Sequence, residues 1–223
     1  MDAQKFFAYS LGTVGDVTLA RDRSPLETEA KLHVPNLDAV AQRILAAGGE
    51  LTHPRTFERN VRYDTPQGTL SARHIVLRLR QDDRVRLTYK DAATLQEGAL
   101  SRVELEVTLD DFATMDAILQ RLGFVPSVRY EKYRTTYRLG AAEIMLDEMP
   151  FGHFVEIEGP LEAIQAAQDA LQLTERPRLP LSYLGLFEHV KAALGLDVHD
   201  LTFANFAGVH VPPELFEHLG GAA

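Results

Sequence analysis

The stretch Arg84-Val85-Arg86-Leu87-Thr88-Tyr89-Lys90 alternates charged or polar side chains with apolar ones. A period of two residues is typical of a β-strand that has one apolar and one polar face. Residues 78–80, 102–107 and 132–136 repeat this alternation, and a turn at Leu139-Gly140 leads from the last of them into a further strand. The sequence therefore predicts a set of strands whose charged side chains share one face.

Amphipathic helices are interspersed among these strands, and three of them follow a pair of glutamates that are two residues apart. Apolar side chains at helical spacing follow Asn36, Asp110 and Pro160. Asp110 is the expected cap of the second helix, and a fourth helix is predicted over residues 182–194. The glutamate pairs are Glu27 and Glu29, Glu104 and Glu106, and Glu156 and Glu158.

The helices need an apolar surface to cover, and this decides where the strand charges point. For one amphipathic strand alone, charges in water are the simpler interpretation. With several such strands, the helices are expected to cover the apolar faces from outside, which turns the charges inward. A sheet of about eight strands closes around side chains or one small ligand. The predicted fold class is therefore α+β, a closed and mostly antiparallel β-barrel of about eight strands with helices packed on its outside.

The composition excludes several classes of protein. A net charge of −9 argues against non-specific nucleic-acid binding, because that affinity comes from clustered Lys and Arg side chains on phosphates. The chain has no cysteine, so disulfides and thiolate metal sites are excluded and a reducing compartment fits. No stretch has the pattern of a signal peptide or a membrane span, so we expect a cytoplasmic protein without a membrane partner.

The apolar pattern divides the chain into three parts. Residues 1–25 are interpreted as an N-terminal extension or linker, and residues 26–195 as the barrel domain. Residues 196–223 form a tail that contains Phe203 and Phe206. Such an apolar tail is expected either to cap one mouth of the barrel or to join two subunits in a homodimer.

Side chains of both signs are expected inside the barrel, and burying them is costly unless they are paired or bind a ligand. Oxygen-only carboxylate ligands suit Mg²⁺ or Mn²⁺, whereas Arg and Lys suit phosphate oxygens. The combination favours a metal-bound polyphosphate. The carboxylates are Glu27, Glu29, Glu104, Glu106, Asp147, Glu156 and Glu158, and the cations are Lys31, Arg78, Arg80, Arg86, Lys90, Lys132 and Arg134.

An ordered series of short motifs resembles the CYTH family of triphosphate tunnel metalloenzymes. Glu27-Thr28-Glu29-Ala30-Lys31 corresponds to the family's first strand, and the resemblance covers about residues 26–194. It continues through Leu77-Arg78-Leu79-Arg80, Leu87-Thr88-Tyr89-Lys90, Lys132-Tyr133-Arg134 and Phe154-Val155-Glu156-Ile157-Glu158. The resemblance implies an antiparallel eight-stranded tunnel, a requirement for Mg²⁺ or Mn²⁺, and chemistry on a small-molecule triphosphate.

Three functions are compatible with this resemblance. The first is a metal-dependent hydrolase of inorganic triphosphate, thiamine triphosphate or a nucleoside triphosphate. The second is a class IV adenylyl cyclase that forms cyclic AMP and pyrophosphate from ATP. The segments Gly152-His153-Phe154 and 182–186 resemble stretches of such cyclases. The third is a non-catalytic polyphosphate-binding module. The family's use of tunnel lysines implies that Lys31 or Lys90 orients or deprotonates the nucleophile.

Overall fold

A computed structural model describes residues 28–92, 94–96, 99–101, 103–217 and 219. Glu27, Arg102 and the predicted N-terminal extension, residues 1–25, lie outside the described residues.

The described strands form one eight-stranded antiparallel sheet and a separate two-stranded hairpin. The strands are β1 (Glu29–Val34), β2 (Glu50–Asp64), β3 (Val76–Gln81), β4 (Val85–Lys90), β5 (Thr94–Gln96), β6 (Ala99–Ser101), β7 (Glu104–Leu109), β8 (Val125–Leu139), β9 (Ala142–Met149) and β10 (Gly152–Glu158). The order in the large sheet is β1-β10-β9-β8-β2-β3-β4-β7, and β5 pairs with β6. The predicted turn at Leu139-Gly140 joins β8 to β9, as expected for a hairpin.

All four predicted helices are present. The described helices are α1 (Leu37–Ala46), α2 (Thr69–Ala72), α3 (Phe112–Arg121), α4 (Leu161–Ala170), α5 (Tyr183–Leu194) and α6 (Glu214–Glu217). Asn36 caps α1 by accepting a hydrogen bond from the amide of Ala39 at 2.9 Å. The predicted cap of α3 was wrong by one residue, because Asp111, and not Asp110, accepts from the amide of Thr114 at 2.7 Å. No described helix has the length and apolar character needed to cross a bilayer.

Helices cover the apolar face of most of the sheet. Helices α1 and α4 bury Val40, Ile44 and Ile164 against alternate residues of β1, β9 and β10, including Leu32. Helix α3 buries Leu119 in a second cluster with residues of β2, β3 and β4. The apolar side chains of these strands therefore point towards the helices, as the alternation predicts.

The apolar row of β7 is an exception to this prediction. Leu105 is 46% exposed and Val107 is 52% exposed. Helix α3 packs on β3 and β8. Among the described strands of the large sheet, β7 pairs with β4 and with no other strand. The edge position of β7 therefore explains why its apolar face is not covered.

The edge of β1 is covered by the segment that follows α4. Leu32 and Arg178 form an antiparallel bridge, and the amide of Leu179 donates to the carbonyl of Lys31 at 2.8 Å. Among the described residues, no backbone ladder joins β7 to β1. The eight antiparallel strands are thus confirmed, whereas closure of the barrel stays a prediction.

The C-terminal segment packs back onto its own chain. Leu201 forms a parallel bridge with Tyr130 of β8, beyond the end of the pairing between β8 and β9. Phe206 and Phe216 are buried with Phe154 and with α5 in a third apolar cluster. The tail therefore contributes to the core at one end of the sheet.

Candidate functional site

The charged side chains of the strands lie on the face opposite helices α1, α3 and α4. Because residues two apart on a strand share a face, the neighbours of Leu32, Leu79 and Ile144 must point away from the helices. All predicted site residues that the structure describes take such positions. We call this surface the ionic face; it carries Glu29, Lys31, Arg78, Arg80, Arg86, Lys90, Glu104, Glu106, Lys132, Arg134, Asp147, Glu156 and Glu158.

Asp147 lies at the centre of the ionic face with its carboxylate fully hydrogen-bonded. Arg134 donates to it through Nε at 2.6 Å and through Nη2 at 2.5 Å, Lys132 at 3.3 Å and the hydroxyl of Tyr183 at 2.6 Å. Burial alone would raise the pKa of Asp147, but Arg134 and Lys132 outweigh it and hold the pKa well below the usual range. Asp147 is therefore an ionised anchor for two cations.

Glu156 and Lys31 extend this network towards the edge of the sheet. Glu156 accepts from Arg134 and lies 3.2 Å from Nζ of Lys31. Lys31 also donates to the carbonyl of Leu181 at 3.3 Å and lies 4.0 Å from Glu29. The segment that covers β1 therefore also fixes the first lysine of the site.

The glutamates of β7 are paired within their own half of the sheet. Lys90 lies 2.7 Å from Glu104, and Thr88 donates to Glu106 at 2.8 Å. Arg78 lies 3.4 Å from the hydroxyl of Thr88. The glutamates of β1 and β10 lie at the other edge of the sheet.

Three arginines concentrate positive charge on β3 and β4. Burial, and then the neighbouring Arg78, lower the pKa of Arg80. Nε of Arg80 donates to the side-chain oxygen of Asn60 at 3.3 Å, and Arg86 pairs with Asp82. An arginine whose pKa is lowered by a second arginine indicates positive charge that an anion would stabilise.

Two buried polar residues of the ionic face, Glu58 and Asn60, are not predicted by the sequence patterns. They lie two residues apart on β2 and are 4% and 1% exposed. Burial would raise the pKa of Glu58, but Lys132, Arg80 and Arg134 lower it below the usual carboxyl range. The sequence pattern that could have identified them is the alternation of Glu58 and Asn60 with Val61 and its neighbours. Three register shifts, however, interrupt the pairing of β2 with β8.

Several buried polar atoms of the ionic face have no hydrogen-bond partner among the described residues. They are Oε2 of Glu58, Nδ2 of Asn60, Nε of Arg78 and Nε of Arg86; the fifth such side-chain atom found in the described residues is Nε of Arg43, which lies on α1. An unpaired buried polar group costs about 1–3 kcal/mol. Such a concentration of unpaired donors and acceptors indicates a site that takes up a polar ligand.

A cavity of about 390 Å³ is lined by two of these residues, Glu58 and Arg86. Its lining comes from β9, β8, β2, β3 and β4 and from the turn between β3 and β4, so the ionic face is concave over these five strands. The charged lining residues are Glu58, Arg80, Asp82, Asp83, Arg84, Arg86, Arg134 and Glu143. The cavity is wide enough for a small anion and has four arginines to bind it.

The carboxylates of the site provide oxygen ligands but no assembled metal centre. Glu29, Glu158 and Glu143 lie directly opposite one another on β1, β10 and β9. Like charges in such a row repel each other, and a divalent cation would relieve the repulsion. Considering only the residues that the structure describes, no three Asp, Glu or His side chains are close enough together to hold a metal ion as they stand.

Comparison with known proteins agrees with this geometry. The CYTH domain family matches residues 25–182. A candidate adenylate cyclase from Vibrio parahaemolyticus is 22% identical with a TM-score of 0.58, over 73% of this chain and 98% of that protein. A protein from Pyrococcus furiosus is 24% identical with a TM-score of 0.57, over 71% of this chain and 98% of that protein.

A candidate adenylyl cyclase from Hippeastrum, described as having a dominant triphosphatase activity, is 23% identical with a TM-score of 0.53, over 73% of this chain and 95% of that protein. At these identities the structural matches establish a shared fold. A search of curated protein sequences finds no match. Because the family match spans more than half of the residues and includes the strands of the ionic face, the chain belongs to the CYTH family.

Proposed function

We propose that this protein is a divalent-metal-dependent hydrolase of a small-molecule triphosphate, which binds on the ionic face. The observation that carries the proposal is the group of unpaired buried polar atoms on the ionic face, of which those of Glu58 and Arg86 belong to a cavity with four arginines. A triphosphate presents many acceptor oxygens and several negative charges, which match the unpaired guanidinium donors of the ionic face. The family resemblance supports the same class of ligand.

Arg78, Arg80 and Arg86 are the proposed principal phosphate ligands. Nε of Arg78 and Nε of Arg86 have no acceptor in the described residues, and Arg80 carries positive charge that no carboxylate within hydrogen-bonding distance balances. Guanidinium groups offer planar donors that suit phosphate oxygens. Lys31 and Lys90, the predicted catalytic groups, donate to Glu156 and Glu104, so we propose that both bind phosphate as ammonium groups.

The proposal gives Asp147 a different role from the metal ligand that the sequence predicts. Its oxygens accept from Arg134, Lys132 and Tyr183, which leaves little capacity for a metal ion. We propose that Asp147 positions Lys132 and Arg134 beside the cavity. A buried carboxylate that holds two cations in this way supports preorganised phosphate binding.

The family implies a divalent metal, and the glutamates of the ionic face have the chemistry to hold it. We propose that Glu29, Glu156 and Glu158 on one edge and Glu104 and Glu106 on the other supply the oxygen ligands, with Glu27 as a further candidate. Mg²⁺ and Mn²⁺ are the proposed ions, because both prefer oxygen ligands. When bound, such an ion neutralises charge on the phosphates.

Hydrolysis is preferred to cyclisation because the aromatic region next to the ionic face is already filled. A cyclase needs a pocket for a nucleobase, and Phe154 and Tyr183 belong to the segments that resemble cyclases. Phe154 instead packs on Tyr183 and Phe216, with ring centroids 5.4 Å and 5.3 Å away. The triphosphatase activity described for the Hippeastrum protein is in line with this choice.

Product analysis tests the proposal. Purified protein is incubated with Mg²⁺ or Mn²⁺ and with inorganic triphosphate, thiamine triphosphate or ATP, and the products are separated by ion-exchange chromatography. We expect orthophosphate from at least one substrate. Cyclic AMP with pyrophosphate from ATP would replace the proposal by a cyclase, and binding without any product would replace it by a polyphosphate-binding module.

A further inference from the structure

Glu58 is a buried carboxylate, one oxygen of which has no hydrogen-bond donor among the described residues. Its Oε2 has no partner, and the nearest cation in ion-pair contact, Nζ of Lys132, lies 3.6 Å away, beyond hydrogen-bonding distance. Lys132, Arg80 and Arg134 keep the carboxylate charged, and Glu58 lines the cavity together with both arginines. Glu58 is therefore a charged acceptor at the wall of the phosphate cavity.

The proposed substrate satisfies the arginines of this cavity but not Glu58. A triphosphate at neutral pH presents acceptor oxygens, and an acceptor-only carboxylate gains no hydrogen bond from them. A buried carboxylate oxygen that lacks a hydrogen-bond donor is unfavourable even where neighbouring cations stabilise its charge. An O–H group held next to the phosphate would donate the missing hydrogen bond to Glu58. The molecule with an O–H group that hydrolysis itself requires is water.

We infer that Glu58 holds and orients the water that attacks the terminal phosphorus. This inference rests on the proposed hydrolase function and assigns the nucleophile to one side chain. The water oxygen forms a bond to the terminal phosphorus, and the bond from that phosphorus to the bridging oxygen breaks. The bridging oxygen leaves with the electron pair, and the proton of the water passes to the carboxylate of Glu58, which then releases it to solvent.

Asp82, which lines the cavity, and Lys31 and Lys90, which do not, are less suited to this role. Asp82 is paired with Arg86 and accepts from the amide of Arg84. Lys31 and Lys90 are held as donors to carboxylates. Phosphoryl transfer depends mainly on positioning, so a carboxylate that orients water is sufficient even when it is a weak base.

Kinetics of Glu58→Gln test the inference, because the amide has the same shape but is a poor acceptor for the water proton. With inorganic triphosphate and Mg²⁺ or Mn²⁺, we expect kcat to fall by about 100-fold to 10,000-fold and KM to stay within about threefold. Glu50→Gln is the matched control on the same strand, since Glu50 forms an exposed ion pair with Arg138. The control should keep wild-type kcat and KM.

Chemical rescue separates orientation of water from a purely structural role. In Glu58→Ala, added formate should restore part of the lost kcat, because it supplies a carboxylate at the vacated position, whereas formate should leave the wild type unchanged. If Glu58→Gln does not fold, Glu58→Asp replaces it, and a loss of at least about tenfold in kcat at unchanged KM supports the inference.

The inference and the proposed function fail in different ways. Wild-type kcat in whichever of Glu58→Gln and Glu58→Asp is folded overturns the inference and leaves the hydrolase intact. A change in KM alone also overturns it, since Glu58 would then only balance the charge of its neighbours. Absence of orthophosphate from the wild-type protein overturns the proposed function itself.

Discussion

Replacing Tyr183 by phenylalanine removes the hydroxyl that ties α5 to the centre of the ionic face. That hydroxyl donates to Oδ2 of Asp147 at 2.6 Å, and both groups are buried. Burial, and then the charge of Asp147, raise the pKa of Tyr183, so the hydroxyl keeps its proton over the ordinary pH range. The substitution removes this hydrogen bond and preserves the aromatic ring.

The expected loss of unfolding free energy is about 1.5–3 kcal/mol, because the acceptor is a charged carboxylate. Because Arg134 and Lys132 still donate to Asp147, we expect the loss of unfolding free energy to lie in the lower half of this range. A loss of about 2 kcal/mol corresponds to a decrease of about 4–8 °C in Tm for a chain of this size. Urea unfolding at pH 7 followed by circular dichroism measures the free energy, and the m-value should not change.

Tyr137→Phe is the matched control. Tyr137 is also buried, and its hydroxyl has no hydrogen-bond partner among the described residues. We expect this control to lose less than about 0.5 kcal/mol. An equally small loss for Tyr183→Phe would show that the bond to Asp147 does not stabilise the attachment of α5, and would refute the reasoning.

Three further predictions concern pH, binding and packing. Burial, and then Arg176, lower the pKa of His33 to about 4, so the unfolded chain takes up a proton at higher pH than the folded chain does. The unfolding free energy should therefore fall as the pH drops from about 6.5 towards 4. In urea titrations, His33→Gln should flatten this pH dependence. Arg80→Ala should weaken binding of inorganic triphosphate by about 10-fold to 100-fold in calorimetry without altering the circular dichroism spectrum, and unchanged affinity would remove Arg80 from the site. A Cβ at Gly49 would lie 2.4 Å from Cγ2 of Ile44, so Gly49→Ala should cost about 1–3 kcal/mol in thermal unfolding, and wild-type stability would contradict the packing.

Much of the fold follows from the two periodicities in the sequence. Alternation at Arg78, Arg80, Arg86 and Lys90 places these cations on one face, because β3 and β4 have no irregularity between them. The helices were predicted well where a cap precedes a regular apolar stripe. Asp110 and Asp111 are adjacent and chemically alike, so the sequence could not decide which one turns its carboxylate to the helix amides.

Strand β2 shows what periodicity cannot predict. It contains Pro54, and register shifts at Leu51/His53, His53/Thr56 and Arg62/Tyr63 break the alternation. Glu58 and Asn60 were therefore missed, although they are among the most buried polar residues of the ionic face.

The partners of each charge also could not be predicted from the sequence. Asp147 has the residue type of a metal ligand, but its role depends on Arg134, Lys132 and Tyr183, which come from other elements. Only the register of β8 against β9 and the position of α5 bring these donors to one carboxylate. Long-range pairing of this kind is a tertiary property that a local pattern does not contain.

The central claim is that the ionic face binds and hydrolyses a triphosphate. A ³¹P nuclear magnetic resonance time course of the wild-type protein with inorganic triphosphate and Mg²⁺ or Mn²⁺ tests it most directly. We predict that the triphosphate resonances are replaced by those of orthophosphate and diphosphate, and that Arg80→Ala slows the conversion at low substrate concentration. Unchanged triphosphate resonances with the folded wild-type protein, for every substrate and metal tried, would contradict the claim.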